Sequence, residues 1–298
     1  MNGAEDITCG CVAQQNAADS PFPMKLERRR MSARLTMQRA AILVTRYVGM
    51  YFGERFPFYY VMEYPKSGGS WLADMIADYL QIPRAVQPVL PIGFRSVIHG
   101  HWGYSPRYRR VVYLYRDGRD VAVSMYFRTL EEIRHPPYRT TRSYFKKRWP
   151  SLFDMRQSDT SRLSAFMGEW ATKPGGTRWV WSEHVQQWIG RPGVVTVSYE
   201  ELLRDTHACM SRLIGELISD DVDAEKLAAT IHKYSFEQQT GRTRGSEDRA
   251  SFIRKGIAGD WRNHFDRECG RVFDQHFGDM LVNLGYESDR DWWTSLPE

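Results

Sequence analysis

Three clusters in this 298-residue chain carry the residue types that hold anions. The first is YPKSGGSWL, residues 64–72. Gly68 and Gly69 let the backbone approach a ligand closely. Lys66 adds a mobile positive charge, and Ser67 and Ser70 add hydroxyl donors. The second is VVYLYRDGRDVAVSMYFR, residues 111–128, in which Arg116 closes an apolar run and Ser124 follows one to two turns into the next helix. Those two groups converge on one phosphate, or else Arg116 pairs with Asp117 or Asp120. The third is FIRKGIAGDWRNHF, residues 252–265, where Arg254, Lys255 and Gly256 make either a flexible anion clamp or a basic surface loop.

The first cluster is not the Walker loop G-x-x-x-x-G-K-[ST], because its lysine precedes the glycines. No later apolar strand ends in the aspartate that would hold Mg²⁺; the run VVYLY ends in Arg116. A positive charge there favours a second anionic group over a metal ion, so no metal is expected. Two anion sites suit a ligand that carries two anionic groups.

The elements that must position these groups are legible. FYYVMEY (58–64), RSVIHGH (95–101), RVVYLYR (110–116) and GVVTVSY (193–199) read as strands buried on both faces. Helical patterns over 70–80, 119–134, 161–171, 179–190, 200–218 and 224–233 separate or follow them. The alternation predicts an α/β fold: three layers, P-loop-like, with a central parallel sheet flanked by helices. The loop after a strand then lies at the carboxyl edge of the sheet, where such folds bind ligands. The N-terminus of the next helix points its N–H groups and dipole into that loop. Leu72, Met75, Ile76, Tyr79 and Leu80 give this helix one apolar face.

Residues 1–23 read as a disordered tail, 24–56 as a basic amphipathic helix region and 57–298 as the main domain. Within the domain, the stretch of about 128–178, weakly periodic from 134 on, is expected to be a lid or acceptor insertion. The basic helix over 25–53 either touches anionic lipid peripherally or packs on the domain with a solvated basic face, the second being favoured.

Hydrophobic residues make up 42 % and charged residues 26 %, and the formal net charge is +5, which suits a soluble protein with an anionic ligand. No helix-turn-helix, zinc-finger or RNP-type signature is present, so nucleic acid is not expected as a partner. Cys9, Cys11, Cys209 and Cys269 form neither a disulfide framework nor a four-ligand metal site. With no apolar run of membrane-spanning length and no secretory signal, a cytoplasmic location is expected.

Together, in this order, the three clusters resemble the PAPS-dependent sulfotransferases, which carry Y-P-K-S-G-T-T-W, a strand ending in Arg with a later Ser, and R-K-G-x-x-G-D-W-[KR]-N. The resemblance spans about residues 57–287 and includes WSEHVQQW (181–188) and SYEELLRD (198–205). A cytosolic-type domain, of a bacterial-type member, is the expectation. The resemblance implies 3′-phosphoadenosine 5′-phosphosulfate (PAPS) as sulfuryl donor and PAP as product. Residues 66–71, from Lys66 through Ser67, Gly68, Gly69 and Ser70 to Trp71, would hold the 5′-phosphosulfate, with the Trp71 ring on adenine. Arg116, Ser124, Arg254, Lys255 and Gly256 would hold the 3′-phosphate, and Tyr199 and Phe236 would lie near the base.

Lys66 would stabilise the leaving phosphate oxygen. A histidine suits removal of the acceptor proton. The family often has this base in a K-[TS]-H segment; laying HGH on it puts His101 at the base, with His99 as the alternative. The sequence departs from the family at Gly69 and Ser70, where two threonines are usual, and the dimer motif of the animal cytosolic members is not matched, so the oligomeric state stays open. The acceptor is a hydroxyl or amine on a small molecule, lipid or carbohydrate. A P-loop nucleotide kinase and a non-catalytic PAP-binding protein are the rival readings.

Overall fold

The computed structural model describes residues 37, 40–56, 58–85, 95–137, 140–156, 158–218, 221–249, 251 and 253–298. Five parallel strands form one sheet in the order β2-β3-β1-β4-β5. They are β1 (Phe58–Glu63), β2 (Arg84–Ala85), β3 (Ser96–Gly100), β4 (Val111–Tyr115) and β5 (Val194–Ser198). The four strands expected from apolar runs are all present; β2 is two residues long, too short for a periodic signal. The chain places β3 on one side of β1 and β4 on the other, so the carboxyl ends of these strands flank a topological switch point.

Every residue of β1 is buried, and its side chains alternate between two cores. Tyr59 and Val61 pack with Leu72, Met75 and Ile76 of α2 (Gly69–Leu80), and with Leu213 and Ile214 of α8 (Thr206–Ile218). Phe58, Tyr60 and Met62 pack on the opposite face with Trp188, the last residue of α6 (Trp181–Trp188). A third core joins α3 (Gly118–Arg134), α5 (Asp159–Thr172) and α11 (Arg267–Asn283) through Val121, Phe166, Trp170, Phe273 and Phe277. Helices thus cover both sheet faces, and much of the abundant tryptophan serves the core: Trp149, Trp170, Trp181 and Trp188 are fully buried.

The pattern over 200–218 predicts one helix; the structure has α7 (Tyr199–Arg204) and α8, broken at Asp205. The Asp205 carboxylate accepts a hydrogen bond from Ala208 N–H at 2.9 Å, which starts a new helix instead of continuing the old one. The weakly periodic stretch 134–178 contains α4 (Thr141–Arg148), a 3-10 turn at Pro150–Phe153 and α5. Two short helices, α9 (Ala224–Lys233) and α10 (Phe236–Thr240), precede the C-terminal basic segment.

Residues 40–51 form a helix, α1, that buries Ala41 and Thr45. Over these residues Leu43, Val44, Tyr47 and Tyr51 are exposed. The expected tail over 1–23, the basic residues over 25–36, Cys9 and Cys11 lie outside the described residues. Among the described residues no helix is long and apolar enough to cross a membrane, and Cys209 and Cys269 are free thiols.

Candidate active site

The site is built at the carboxyl ends of β1, β3, β4 and β5. After β1 the chain turns through Lys66, a non-glycine residue at φ 78, and Gly68 at φ 104, into α2. Lys66 in this left-handed conformation is strained backbone of the kind that collects at functional loops. The tight turn is closed by Ser67 N–H donating to the Tyr64 carbonyl at 3.1 Å. Gly69 has a specific neighbour: a Cβ built there lies 2.6 Å from Glu63 Cδ. The Glu63 carboxylate occupies the space a side chain at 69 would need, and one of its oxygens accepts the Gly69 N–H. This explains the departure from the family pattern at that position.

One cavity of about 300 Å³, a size suited to a small ligand, is lined by Lys66, Gly68, Ser70, Trp71, His99, His101, Arg116, Ser124, Tyr199, Phe236 and Arg254–Gly256. Of the residues expected from sequence, only Ser67 and Gly69 are absent from its wall. Ser67 is buried behind the loop, and Gly69 turns its N–H to Glu63. Glu63, Tyr234, Gln239 and Ile257 also line it and were not foreseen. The signal for Glu63 was available, since a carboxylate ending an otherwise apolar run is rarely buried without a partner.

Arg116 follows β4 directly. It pairs with Asp120 at 3.1 Å, as the bland expectation had it, and also faces the cavity. The same nitrogen donates to the Ile257 carbonyl at 3.1 Å, and the guanidinium lies 4.3 Å over the Tyr199 ring. Burial disfavours its charge, but Asp120 outweighs that and raises the pKa. The Asp120 carboxylate in turn accepts Gly259 N–H at 2.8 Å and Trp261 N–H at 2.9 Å. The buried Arg116–Asp120 pair, between the end of β4 and the start of α3, therefore pins residues 257–261 at the carboxyl edge of the sheet. In that segment Asp260 pairs with Lys255 at 2.7 Å and with Arg254, and Arg254 also reaches Glu247 at 2.5 Å. Burial acts upward on Asp260, but hydrogen bonds from His264, Lys255, Arg254 and Asn263 hold it well below the usual carboxylate range. Gly256 lies against the Phe236 ring, and Trp71 donates its indole N–H to the Tyr234 carbonyl at 2.9 Å while meeting Tyr199 edge-on.

Arg116 Nε and Ser67 Oγ are buried with no partner among the described residues. Unsatisfied buried donors are costly. Arg116, on the cavity wall with Lys66, Arg254 and Lys255, fits a ligand with two anionic groups.

The two histidines differ in their commitments. His99 Nε2 lies 2.8 Å from a Glu63 oxygen, and its Nδ1 lies 3.3 Å from an Arg84 nitrogen. His101 Nδ1 lies 3.1 Å from the Glu63 carbonyl, an acceptor only, so Nδ1 carries the proton and Nε2 keeps its lone pair. Burial holds His101 below its ordinary 6.5, against the raising influence of Glu63. Burial, with Arg128 beside it, pushes the Lys66 ammonium down to about 8. Burial acts upward on Glu63, but the hydrogen bond and charge of His99 outweigh it and hold the carboxyl low. Ligating atoms of Glu63, His99 and His101 lie within 4.8 Å of one another, close enough for a divalent cation. Their mutual hydrogen bonds and the neighbouring Lys66 charge favour a hydrogen-bonded cluster instead.

Fold and cavity together give an α/β protein whose sheet edge carries a cationic cavity. The sulfotransferase-domain family model matches residues 107–285, well over half of the chain. The chain belongs to the sulfotransferase family, enzymes that take a sulfuryl group from PAPS. It is similar to human sulfotransferase 2A1, 26 % identical over 269 residues covering 76 % of this chain and 85 % of that protein. The guinea pig 3-beta-hydroxysteroid sulfotransferase is 24 % identical over 262 residues, covering 74 % and 82 %. Among solved structures, mouse sulfotransferase SULT7A1 complexed with PAP has a TM-score of 0.54 at 22 % identity, covering 76 % of this chain and 84 % of that one. Retinol dehydratase in complex with retinol and PAP has a TM-score of 0.53 at 18 % identity, covering 75 % and 81 %. Family membership sets aside the nucleotide-kinase and non-catalytic readings.

Proposed function

We propose that this sulfotransferase moves a sulfuryl group from PAPS to the hydroxyl of a small lipophilic alcohol, with Lys66 and His101 as its catalytic pair. The observation that carries this reading is the gathering of Lys66, His101, Arg116, Ser124 and Arg254–Gly256 around one cavity. Bound PAPS would supply the sulfuryl group and a phosphate as leaving group. Arg116, Ser124, Arg254, Lys255 and Gly256 would hold its 3′-phosphate. Gly68, Ser70 and the start of α2 would hold the phosphosulfate, and Trp71, Tyr199 and Phe236 the base.

The residues divide the proton and charge work. Lys66, charged at neutral pH with its pKa near 8, offers a fixed cation where negative charge grows on the leaving oxygen. His101, neutral at pH 7, offers Nε2 to the acceptor hydroxyl as its proton leaves. His99 is the weaker candidate because its Nε2 is already committed to Glu63. Ser124, on the cavity wall, would share the 3′-phosphate with Arg116.

A lipophilic alcohol is favoured because one relative is a 3-beta-hydroxysteroid sulfotransferase and a structural neighbour was solved with retinol. The surroundings of the base are compatible: Trp179 packs over Gly103, and Thr177 donates to the His101 carbonyl at 3.2 Å, so the end of the 128–178 insertion borders the base. The test is a panel of sterols, retinoids, phenols and glycans incubated with PAPS, reading PAP release. Turnover of glycans alone would refute the acceptor class. No thermal stabilisation by PAP would refute the nucleotide site, since a bound ligand stabilises by mass action.

A further inference from the structure

We propose that Glu63 is a positioning residue for this reaction: from the end of β1 it registers the base against the anion loop. The proposal rests on the reading of His101 as base. Three contacts carry it. One carboxylate oxygen lies 2.8 Å from His99 Nε2, the other accepts the Gly69 N–H, and the backbone carbonyl lies 3.1 Å from His101 Nδ1. Side chain and main chain of one residue thus grip the loop that carries Lys66 and the ring that takes the proton.

The grip continues outward. Arg84, beside His99 Nδ1, reaches Ser70 Oγ at 3.2 Å and Asp74 at 2.7 Å. A continuous path runs His101–Glu63–His99–Arg84–Ser70 and joins the ends of β1 and β3 to the first turn of α2. A buried carboxylate at 3 % exposure is expensive unless its acceptor sites are filled. Here both oxygens are filled by groups of the site itself, so the carboxylate fixes the loop and His99 while the main-chain carbonyl of the same residue fixes His101.

The charge of Glu63 has a second consequence. The ionisable groups facing His101 are Glu63 from β1, His99 from β3, Lys66 from the loop and His184 from α6. Glu63 is the anion among them, and it favours the imidazolium. Removing its charge lowers the titration midpoint of His101 further.

The experiment uses Glu63→Gln, which keeps the shape but places an amide donor against either the Gly69 N–H or His99. Histidine NMR, with the His101 signals identified by their loss in His101→Ala, is expected to show the His101 midpoint falling by about one pH unit. With PAPS and an accepted alcohol, kcat is expected to fall roughly tenfold to hundredfold, as for a misplaced reacting group, while PAP affinity stays within about threefold. A folded Glu63→Gln protein with wild-type midpoint and kcat overturns the proposal. If Glu63→Gln does not fold, Glu63→Asp decides: it keeps the charge but is one methylene too short to reach both partners. A lowered kcat with an unchanged midpoint supports the proposal, and wild-type kcat overturns it. Full turnover by His101→Ala would instead sink the assignment of the base, whereas the NMR midpoint tests the influence of the Glu63 charge on His101 without any turnover.

Discussion

Replacing Gly69 by alanine separates two opposed expectations. Gly69 is the first residue of α2 and is not among the residues of positive φ. On backbone grounds alone, alanine at such a site stabilises a protein by about 0.4–1 kcal/mol, because the unfolded chain loses freedom. The structure reverses the sign. The added Cβ falls 2.6 Å from Glu63 Cδ and 2.9 Å from both Cγ and Oε2, and Glu63 is buried and held by His99. Relief needs a shift of roughly 1 Å in the loop or the carboxylate, and overpacking of this kind costs about 1–3 kcal/mol. At this chain size a loss of about 2 kcal/mol lowers Tm by roughly 4 °C. Because the same shift moves the loop that bears Lys66, kcat should fall by up to about a hundredfold. The assay is thermal unfolding and PAPS turnover of Gly69→Ala, Glu63→Ala and the double variant. The double variant should be more stable than the sum of the singles implies, because the clash exists only when both side chains are present. A Gly69→Ala protein that melts at or above the wild-type temperature with full activity would refute the reasoning.

Lys66→Ala should lower kcat by about a hundredfold to a thousandfold with little change in PAP affinity by calorimetry, the loss typical of a transition-state donor. The alkaline limb of kcat/KM should lie near pH 8, where Lys66 loses its proton and its charge, and Lys66→Arg should move that limb to higher pH. The acid limb should lie below pH 6.5, because the neutral form of His101 is the active one and burial lowers its pKa. Arg254→Ala should weaken PAP binding by about tenfold to a hundredfold, the worth of a charged hydrogen bond, yet leave the affinity for adenosine 5′-phosphosulfate unchanged. Asp120→Asn should cost about 3–5 kcal/mol in thermal unfolding, because it leaves Arg116 without its buried partner.

Much of this was legible in the linear chain, for physical reasons. Strands buried on both faces read as apolar runs, so the sheet and its carboxyl-edge loops could be placed from FYYVMEY and VVYLY alone. Local chemistry was legible too: Lys66, Arg116 and Arg254 each stand in a short segment whose composition announces an anion. What was hidden is contact between segments. Glu63 read as a strand residue, and nothing local revealed that its carboxylate fills the space above Gly69 or reaches His99, 36 positions away. Asp120 read as a candidate partner of Arg116, while its other partners Gly259 and Trp261 are about 140 residues distant. His99 and His101 share a strand-end face, so spacing left them equal. Their hydrogen-bond partners distinguish them, and those partners come from the neighbouring strand.

The tether from Asp120 and Arg116 to residues 257–261 also orders events in time. On a ribosome the sheet, the anion loop and both histidines emerge well before the segment from Arg254 to Trp261. Without that segment in place the cavity lacks one wall, and Asp120 lacks two of its backbone donors. The strands and the anion loop all precede it in the chain, so the cavity is complete only when residues 254–261 lie back against α3.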